Sequence, residues 1–150
     1  MKSIEELASD FASDQAEKLA FNALKLPDAV RQVYLVNGLT FKVANSGFQG
    51  WIESHNGNFA PETLQALLEM GAVECADTVR RALAVFPKSK PSRDPDERED
   101  FLADSDIPES FWEELDKELL KQCEKENLDG LFKSYVQKHA KVFKLGKTSG

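Results

Sequence analysis

The chain has 150 residues, of which 41% are hydrophobic and 30% are charged. This length suits one ordinary domain with a buried core, and the composition is too apolar for a disordered chain. The net charge of −7 argues against direct binding to nucleic acid, because phosphates would be repelled, and it favours a basic partner. The N-terminus has no apolar run of signal-peptide length, and no stretch approaches the roughly 20 apolar residues of a membrane span. A soluble, cytoplasmic protein with no membrane contact is therefore expected.

The N-terminal segment has apolar residues at helical spacing. Ser3 and Glu6 have the spacing of a capping box, in which each side chain bonds the backbone N–H of the other residue. Asp14 with Glu17 offers a second helix start, so this segment is predicted to be one helix or two. Pro27 fits the first turn of the following helix.

That following helix is predicted to end at Asn45-Ser46-Gly47, where Gly47 can take the positive φ of a C-terminal cap. Gly38 in its middle indicates close packing or a bend, because glycine costs about 1 kcal/mol relative to alanine inside a helix. A short helix over residues 48–53 and a turn over residues 56–58 are predicted to follow.

Residues 61–83 are predicted to form an antiparallel pair of short helices joined at Gly71, which suits a helix end. Residues 88–108 contain three prolines, many charges and no sustained apolar period, so they are predicted to be one long exposed acidic loop. Two further helices are predicted over residues 108–123 and 128–143.

Residues 146–150 are predicted to be a frayed tail. No strand-like alternation of polar and apolar residues appears anywhere in the chain. The sequence therefore predicts an all-α fold, a single-domain helical bundle of about seven helices over residues 1–150 with one long acidic loop.

Candidate catalytic residues are few. Glu53 and His55 are one candidate acid–base pair, whereas His139 lies on an apolar stripe, where a packed or hydrogen-bonded histidine is the commoner case. Cys75 and Cys123 have neither C-x-x-C nor zinc-site spacing, and Cys123 has the spacing of a small core residue. No nucleophile motif, metal-ligand set or dinucleotide loop is present, so we expect no catalysis, no cofactor and no metal.

Charge is unevenly distributed along the chain. Between Asp94 and Asp129, fifteen carboxylates stand against four basic side chains, a net charge of −11. Carboxylates three or four residues apart on a helix lie about 5 to 6 Å apart, and such a row can imitate the phosphates of DNA, which carries one charge per about 1.7 Å. The alternative is a solvated helix face with a solubilising loop. The predicted partner-binding surface consists of Asp94, Asp96, Glu97, Glu99, Asp100, Asp104, Asp106, Glu109, Glu113, Glu114, Asp116 and Glu118.

Within residues 43–84, an apolar helix runs into the pattern Asn-x-Gly-Phe-x-x-aromatic, and a pair of apolar helices joined by Gly-Ala follows. The pattern is Asn45-Ser46-Gly47-Phe48-Gln49-Gly50-Trp51, and the joint is Gly71-Ala72. This region resembles the DMP-type DNA-mimic protein family. The resemblance extends over about residues 26–143, although the family usually has Gly-Gly where this chain has Ser46-Gly47. A Glu shortly before the Asn is also usual in the family, and Val43-Ala44 stands in that region here. The motif residues, which we interpret as helix caps, turns and core anchors, are Asn45, Gly47, Phe48, Trp51, Asn56 and Gly71.

The resemblance implies an all-helical fold that is often dimeric, so a homodimer is one expected oligomeric state. One studied type of member acts as a DNA mimic that occupies the DNA-binding face of a helix-turn-helix repressor. The sequence hypothesis is therefore a non-catalytic regulatory protein that binds a basic protein partner, such as a DNA-binding protein, through an acidic surface. The alternatives are an immunity or antitoxin-type module that neutralises a basic toxin, and a hydrolase using Glu53 and His55.

Overall fold

The computed structural model of the chain describes residues 1–145, so the tail predicted at residues 146–150 lies outside the described part. Within residues 1–145 the chain forms seven α-helices and no β-strand, which confirms the predicted all-α class. The helices are α1 (Ile4–Lys18), α2 (Asp28–Glu53), α3 (Ala60–Glu69), α4 (Val73–Leu83), α5 (Pro95–Asp104), α6 (Glu109–Lys125) and α7 (Leu128–Lys138). Short 3-10 helices lie at Ala23–Lys25, His55–Phe59 and Pro87–Ser89.

Helix α2 is the central element of the bundle. Helices α1, α3, α5 and α6 all pack against it, and α4 packs against α3 and α6. Helix α7 closes the bundle against α1 and α6. This arrangement explains why α2 buries residues on more than one face, with Val33, Leu35, Val36 and Leu39 all 1% exposed or less. None of the described helices is long and apolar enough to cross a membrane.

Helix α1 begins with the predicted capping box. Ser3 Oγ accepts a hydrogen bond from the Glu6 N–H at 3.1 Å, and the Glu6 carboxylate accepts one from the Ser3 N–H at 3.0 Å. The second helix start predicted at Asp14 is not used, because α1 continues unbroken to Lys18. The buried residues of α1 are alanines spaced four residues apart, so this helix presents small side chains to its neighbours.

Gly47 divides α2 into two helical halves. Its φ of 71° and ψ of 178° are non-helical and lie in a region of backbone space that only glycine adopts readily. The two halves match the separate helices that the sequence predicts on either side of this residue. Phe48 and Trp51 in the second half are fully buried, as predicted, and their rings meet edge to face at 6.1 Å.

The prediction of one long exposed loop over residues 88–108 is wrong for its central part, which is helix α5. Asp94 Oδ1 accepts a hydrogen bond from the Asp96 N–H at 2.9 Å, and Pro95 takes the first helical position, where a missing N–H costs nothing. Helix α5 has only one buried residue, Arg98. A charged helix held by a buried arginine has no apolar stripe, so periodicity does not reveal it.

Replacing Phe48 or Trp51 by alanine is expected to lower the free energy of unfolding by about 3–5 kcal/mol, because a large side chain leaves a cavity in a packed core. Phe41 on the same helix is 66% exposed and provides the control, since Phe41→Ala should change stability by about 0.5 kcal/mol or less. Urea denaturation of the three variants makes the comparison. Equal losses for Phe48→Ala and Phe41→Ala would contradict the core assignment.

Candidate interaction surface

The segment from Asp94 to Asp116 combines eleven carboxylates with one basic residue, Arg98. Ten of the carboxylates have exposed side chains, whereas Arg98 is 1% exposed. The segment therefore presents acidic groups to solvent and directs its one cation inward. We refer to the ten exposed residues together as the acidic surface, and they are Asp94, Asp96, Glu97, Glu99, Asp100, Asp104, Asp106, Glu109, Glu113 and Glu114.

The buried guanidinium of Arg98 donates four hydrogen bonds. Nε donates to the Ile52 carbonyl at 2.7 Å, and Nη1 donates to the Ser92 carbonyl at 2.7 Å. Nη2 donates to the Ser54 carbonyl at 3.0 Å and to Asn58 Oδ1 at 2.7 Å. The carbonyls of Ile52 and Ser54 belong to the C-terminal end of α2, where the helix dipole carries partial negative charge. Arg98 is thus stabilised by oriented dipoles and fixes α5 to the end of α2.

Gly57 makes room for this arrangement. A Cβ atom at this position would collide with the Ile52 carbonyl and would lie 3.0 Å from Arg98 Nε. The turn predicted at residues 56–58 therefore serves the arginine directly, since Asn58 accepts one of its hydrogen bonds and Gly57 allows the close approach.

Burial lowers the pKa of Arg98 from its usual value, and the carboxylate of Asp94 opposes that shift. An arginine keeps its proton at all ordinary pH values, so a positive charge lies beneath the acidic surface without reaching it. Arg93 lies just before the segment and forms an ion pair with Glu62. Its two Nη atoms lie 3.0 and 2.8 Å from the carboxylate oxygens of Glu62. A binding partner that meets the acidic surface encounters carboxylates.

Asp116 has a role that the sequence analysis did not anticipate. Its Oδ1 accepts a hydrogen bond from the Phe48 N–H at 2.7 Å, at the start of the second half of α2. Burial raises the pKa of this partly buried carboxyl group, and the Phe48 N–H opposes that shift. A Cβ on Gly47 would lie 2.6 Å from Asp116 Oδ2, so the glycine also permits the contact. Asp116 is a cap supplied by α6 and is not part of the acidic surface.

Glu118, also predicted as a surface residue, is partly buried. Its Oε1 accepts a hydrogen bond from Gln122 Nε2 at 3.2 Å and lies 3.7 Å from Arg81 Nη2 on α4. This carboxylate is engaged between α6 and α4, so it too falls outside the acidic surface.

Glu126, just beyond the last residue of α6, supplies a second cap. Its carboxylate accepts hydrogen bonds from the backbone N–H groups of Glu74 at 2.8 Å and Cys75 at 2.9 Å, in the first turn of α4. Ala72 stands at the N-cap position of α4 and has no side-chain acceptor. A helix start without a capping side chain is a sequence signal that an acceptor comes from elsewhere in the chain.

The other family-motif residues occupy structural positions. Asn45 Nδ2 donates to the Phe41 carbonyl at 2.7 Å, one turn earlier in α2. Asn56 packs against Gly38, where a Cβ would lie 2.6 Å from Asn56 Nδ2, and this contact confirms the close packing predicted at Gly38. Gly71 ends α3 with a φ of 86°.

The candidate acid–base residues lie where α2 ends, Glu53 as its last residue and His55 at the start of the following 3-10 helix. His55 Nε2 donates to the Phe21 carbonyl at 2.6 Å, and the ring packs edge-on against Phe21 and Phe59. Glu53 is exposed. One surface groove of about 620 Å³ is formed by α1, α2, α6 and α7, and another of about 500 Å³ is formed mainly by α2 and α7, with Glu69 of α3. Neither Glu53 nor His55 lines either groove.

Removing the Asp116 carboxylate tests its role as a cap. Asp116→Ala is expected to lower the free energy of unfolding by about 1–2 kcal/mol, the usual cost of losing a helix cap. Asp116→Asn keeps an acceptor oxygen and should cost less. Glu113→Ala, at an exposed site on the same helix, should change stability by about 0.5 kcal/mol or less. Thermal melts in which Asp116→Ala matches Glu113→Ala would refute the cap.

Arg98→Lys is expected to lower the free energy of unfolding by about 3 kcal/mol or more, because an ammonium group cannot satisfy four acceptors arranged around a planar fork. The matched control is Arg93→Lys in the exposed ion pair with Glu62, which should cost about 1 kcal/mol or less. Urea denaturation monitored by circular dichroism compares the two variants. Similar losses would mean that Arg98 does not anchor α5.

A protein-family model described as DMP19-like protein matches residues 24–139. No curated protein and no solved structure is significantly similar to the chain. The matched span begins after α1. It contains the break at Gly47, the carboxylate caps Asp116 and Glu126, Arg98 and the whole acidic surface. Because the match extends over most of the chain, this protein belongs to the DMP19-like protein family.

Proposed function

We propose that this protein is a non-catalytic regulator that binds a basic protein partner through the acidic surface, as a DNA mimic that occupies the DNA-binding face of a transcription factor. The observation that carries the proposal is the burial of Arg98 beneath ten exposed carboxylates. A surface that serves only for solubility has no need to exclude cations. A surface that replaces DNA must exclude cations, because a DNA-binding face is complementary to phosphates.

The geometry of the acidic surface supports this use. Its carboxylates lie on α5, on the connection to α6 and on the first turns of α6, so they are presented mainly by helices. Helix α5 is fixed by Arg98, and α6 is fixed by its two caps, which reduces the ordering that binding would require. Long-range attraction from such a surface accelerates encounter with a basic partner.

The partner is to be recovered by affinity capture from cell extract at low salt and then purified. Neutralising four exposed carboxylates should lower its affinity about fourfold or more, because each lost charge contributes roughly 0.2–1 kcal/mol. The test variant carries Glu99→Gln, Asp100→Asn, Glu113→Gln and Glu114→Gln. The control variant removes the same number of exposed charges outside the acidic surface, at Asp14→Asn, Glu17→Gln, Glu53→Gln and Glu124→Gln. Equal losses for the two variants would indicate an effect of net charge and contradict a defined surface.

Competition with duplex DNA separates mimicry from other acidic binding. If the protein occupies a DNA-binding face, DNA and this protein should exclude each other on the partner, and the mutual exclusion should weaken toward 1 M salt, where the Debye length is about 3 Å. A partner that binds DNA and this protein independently would refute mimicry. Capture of a basic toxin whose activity is blocked would support the antitoxin-type alternative instead.

A further inference from the structure

The two cysteines, which are 48 residues apart in the chain, meet in the fold. Cys75 in the first turn of α4 and Cys123 near the end of α6 have their sulfur atoms 3.9 Å apart. Cys75 is fully buried, whereas Cys123 is partly exposed and lines the groove of about 620 Å³ formed by α1, α2, α6 and α7. Its spacing predicts Cys123 to be a small core residue, but Cys123 is only partly buried and lines a solvent-accessible groove.

The surrounding structure holds this pair in place. Glu126 follows Cys123 by three residues, and its carboxylate accepts the Cys75 N–H at 2.9 Å. The start of α4 and the end of α6 are therefore joined beside the two sulfurs. A disulfide has a sulfur–sulfur distance of about 2.0 Å, so forming it would bring the two sulfur atoms closer than their present 3.9 Å.

The two thiols differ in the direction of their pKa shifts and in their access to solvent. The Cys75 thiol donates a hydrogen bond to Cys123 Sγ and thereby lowers the pKa of Cys123, although burial and the carboxylates of Asp129 and Glu126 oppose this. The same hydrogen bond, together with burial, raises the pKa of Cys75. Cys123 is therefore the thiol that ionises first, and it is also the one that a small solute can reach from the groove.

We propose that Cys75 and Cys123 form a redox-sensitive pair that a hydroperoxide converts into an intramolecular disulfide between α4 and α6. The Cys123 thiolate attacks the peroxide, the O–O bond breaks, and Cys123 becomes a sulfenic acid. The leaving group is an alkoxide, or hydroxide when the oxidant is hydrogen peroxide, and it takes a proton to form an alcohol or water. The Cys75 sulfur then attacks the sulfenic sulfur. The S–S bond forms, the S–O bond breaks, and the oxygen leaves as water with the Cys75 proton. The two thiols lose two electrons and the peroxide gains them.

After treatment with a small excess of hydrogen peroxide, neither cysteine of the wild-type protein should react with an alkylating reagent. The protein should become lighter by two hydrogen atoms. Trypsin should then release residues 122–125 linked to residues 43–80, the peptides that contain Cys123 and Cys75. A non-reducing gel should show a monomeric band. The melting temperature should rise by about 5 °C or more, because the bond restricts the unfolded chain, and dithiothreitol should reverse the shift.

Single-cysteine variants, checked by circular dichroism for helix content, show the order of the steps. Cys75→Ala should leave a Cys123 sulfenic acid that dimedone traps, and Cys123→Ala should leave the buried Cys75 unreactive. The proposal is overturned if the wild type stays fully reduced, if Cys123 reaches the sulfinic acid while Cys75 remains a thiol, or if the disulfide joins two chains. The peptide map of the wild type decides these outcomes even if a variant does not fold.

Discussion

The buried guanidinium of Arg98 is the interaction on which the acidic half of the molecule depends. Placing a charged group in the interior costs several kcal/mol unless its donors are satisfied, and here four acceptors meet it. Two of these acceptors are carbonyls at the end of α2, so the central helix of the bundle holds a helix that has almost no apolar side of its own. The same contact removes the one cation from a strongly acidic segment. The burial of this one side chain therefore affects both the attachment of α5 and the charge of the acidic surface.

Helix α6 and the residue that ends it combine two uses of carboxylates. Glu113 and Glu114 are exposed, whereas Asp116 and Glu126 turn toward the bundle and accept backbone N–H groups at the start of other helical segments. The residue directly before each capped start has no side-chain acceptor, because it is Gly47 in one case and Ala72 in the other. A count of acidic residues in the sequence therefore overstates the charge available to a partner. It also hides two contacts that set the position of α6.

The proposed binding surface and the thiol pair lie toward opposite ends of α6. The acidic surface occupies α5 and the first turns of α6, whereas Cys123 and the Glu126 cap lie at its C-terminal end. A disulfide to Cys75 would attach that end of α6 covalently to α4, where hydrogen bonds already join them. The groove that gives access to Cys123 is formed partly by α1, which precedes the span that matches the family.

Structural features that depend on residues within one or two helical turns could be predicted from the sequence. The capping box at Ser3, the glycine-permitted break at Gly47 and the buried aromatic rings of Phe48 and Trp51 all follow from backbone preference or apolar spacing, and together they predict the all-α class. About the candidate site, the sequence established only that acidic residues are concentrated in one segment. Which of them face solvent depends on contacts between residues that are far apart in the chain.

Helix α5, the inward direction of Arg98, the caps at Phe48 and Glu74 and the meeting of two cysteines arose only when the helices packed together. Apart from Ser92, which is six residues from Arg98, their partners are 40 to 68 residues away in the chain. Each of these contacts is made by a polar or sulfur-containing side chain, which leaves no periodic apolar pattern to read. Hydrophobic periodicity reports which face of a helix is buried, but a hydrogen bond to a distant backbone group is specified by where that group lies in space.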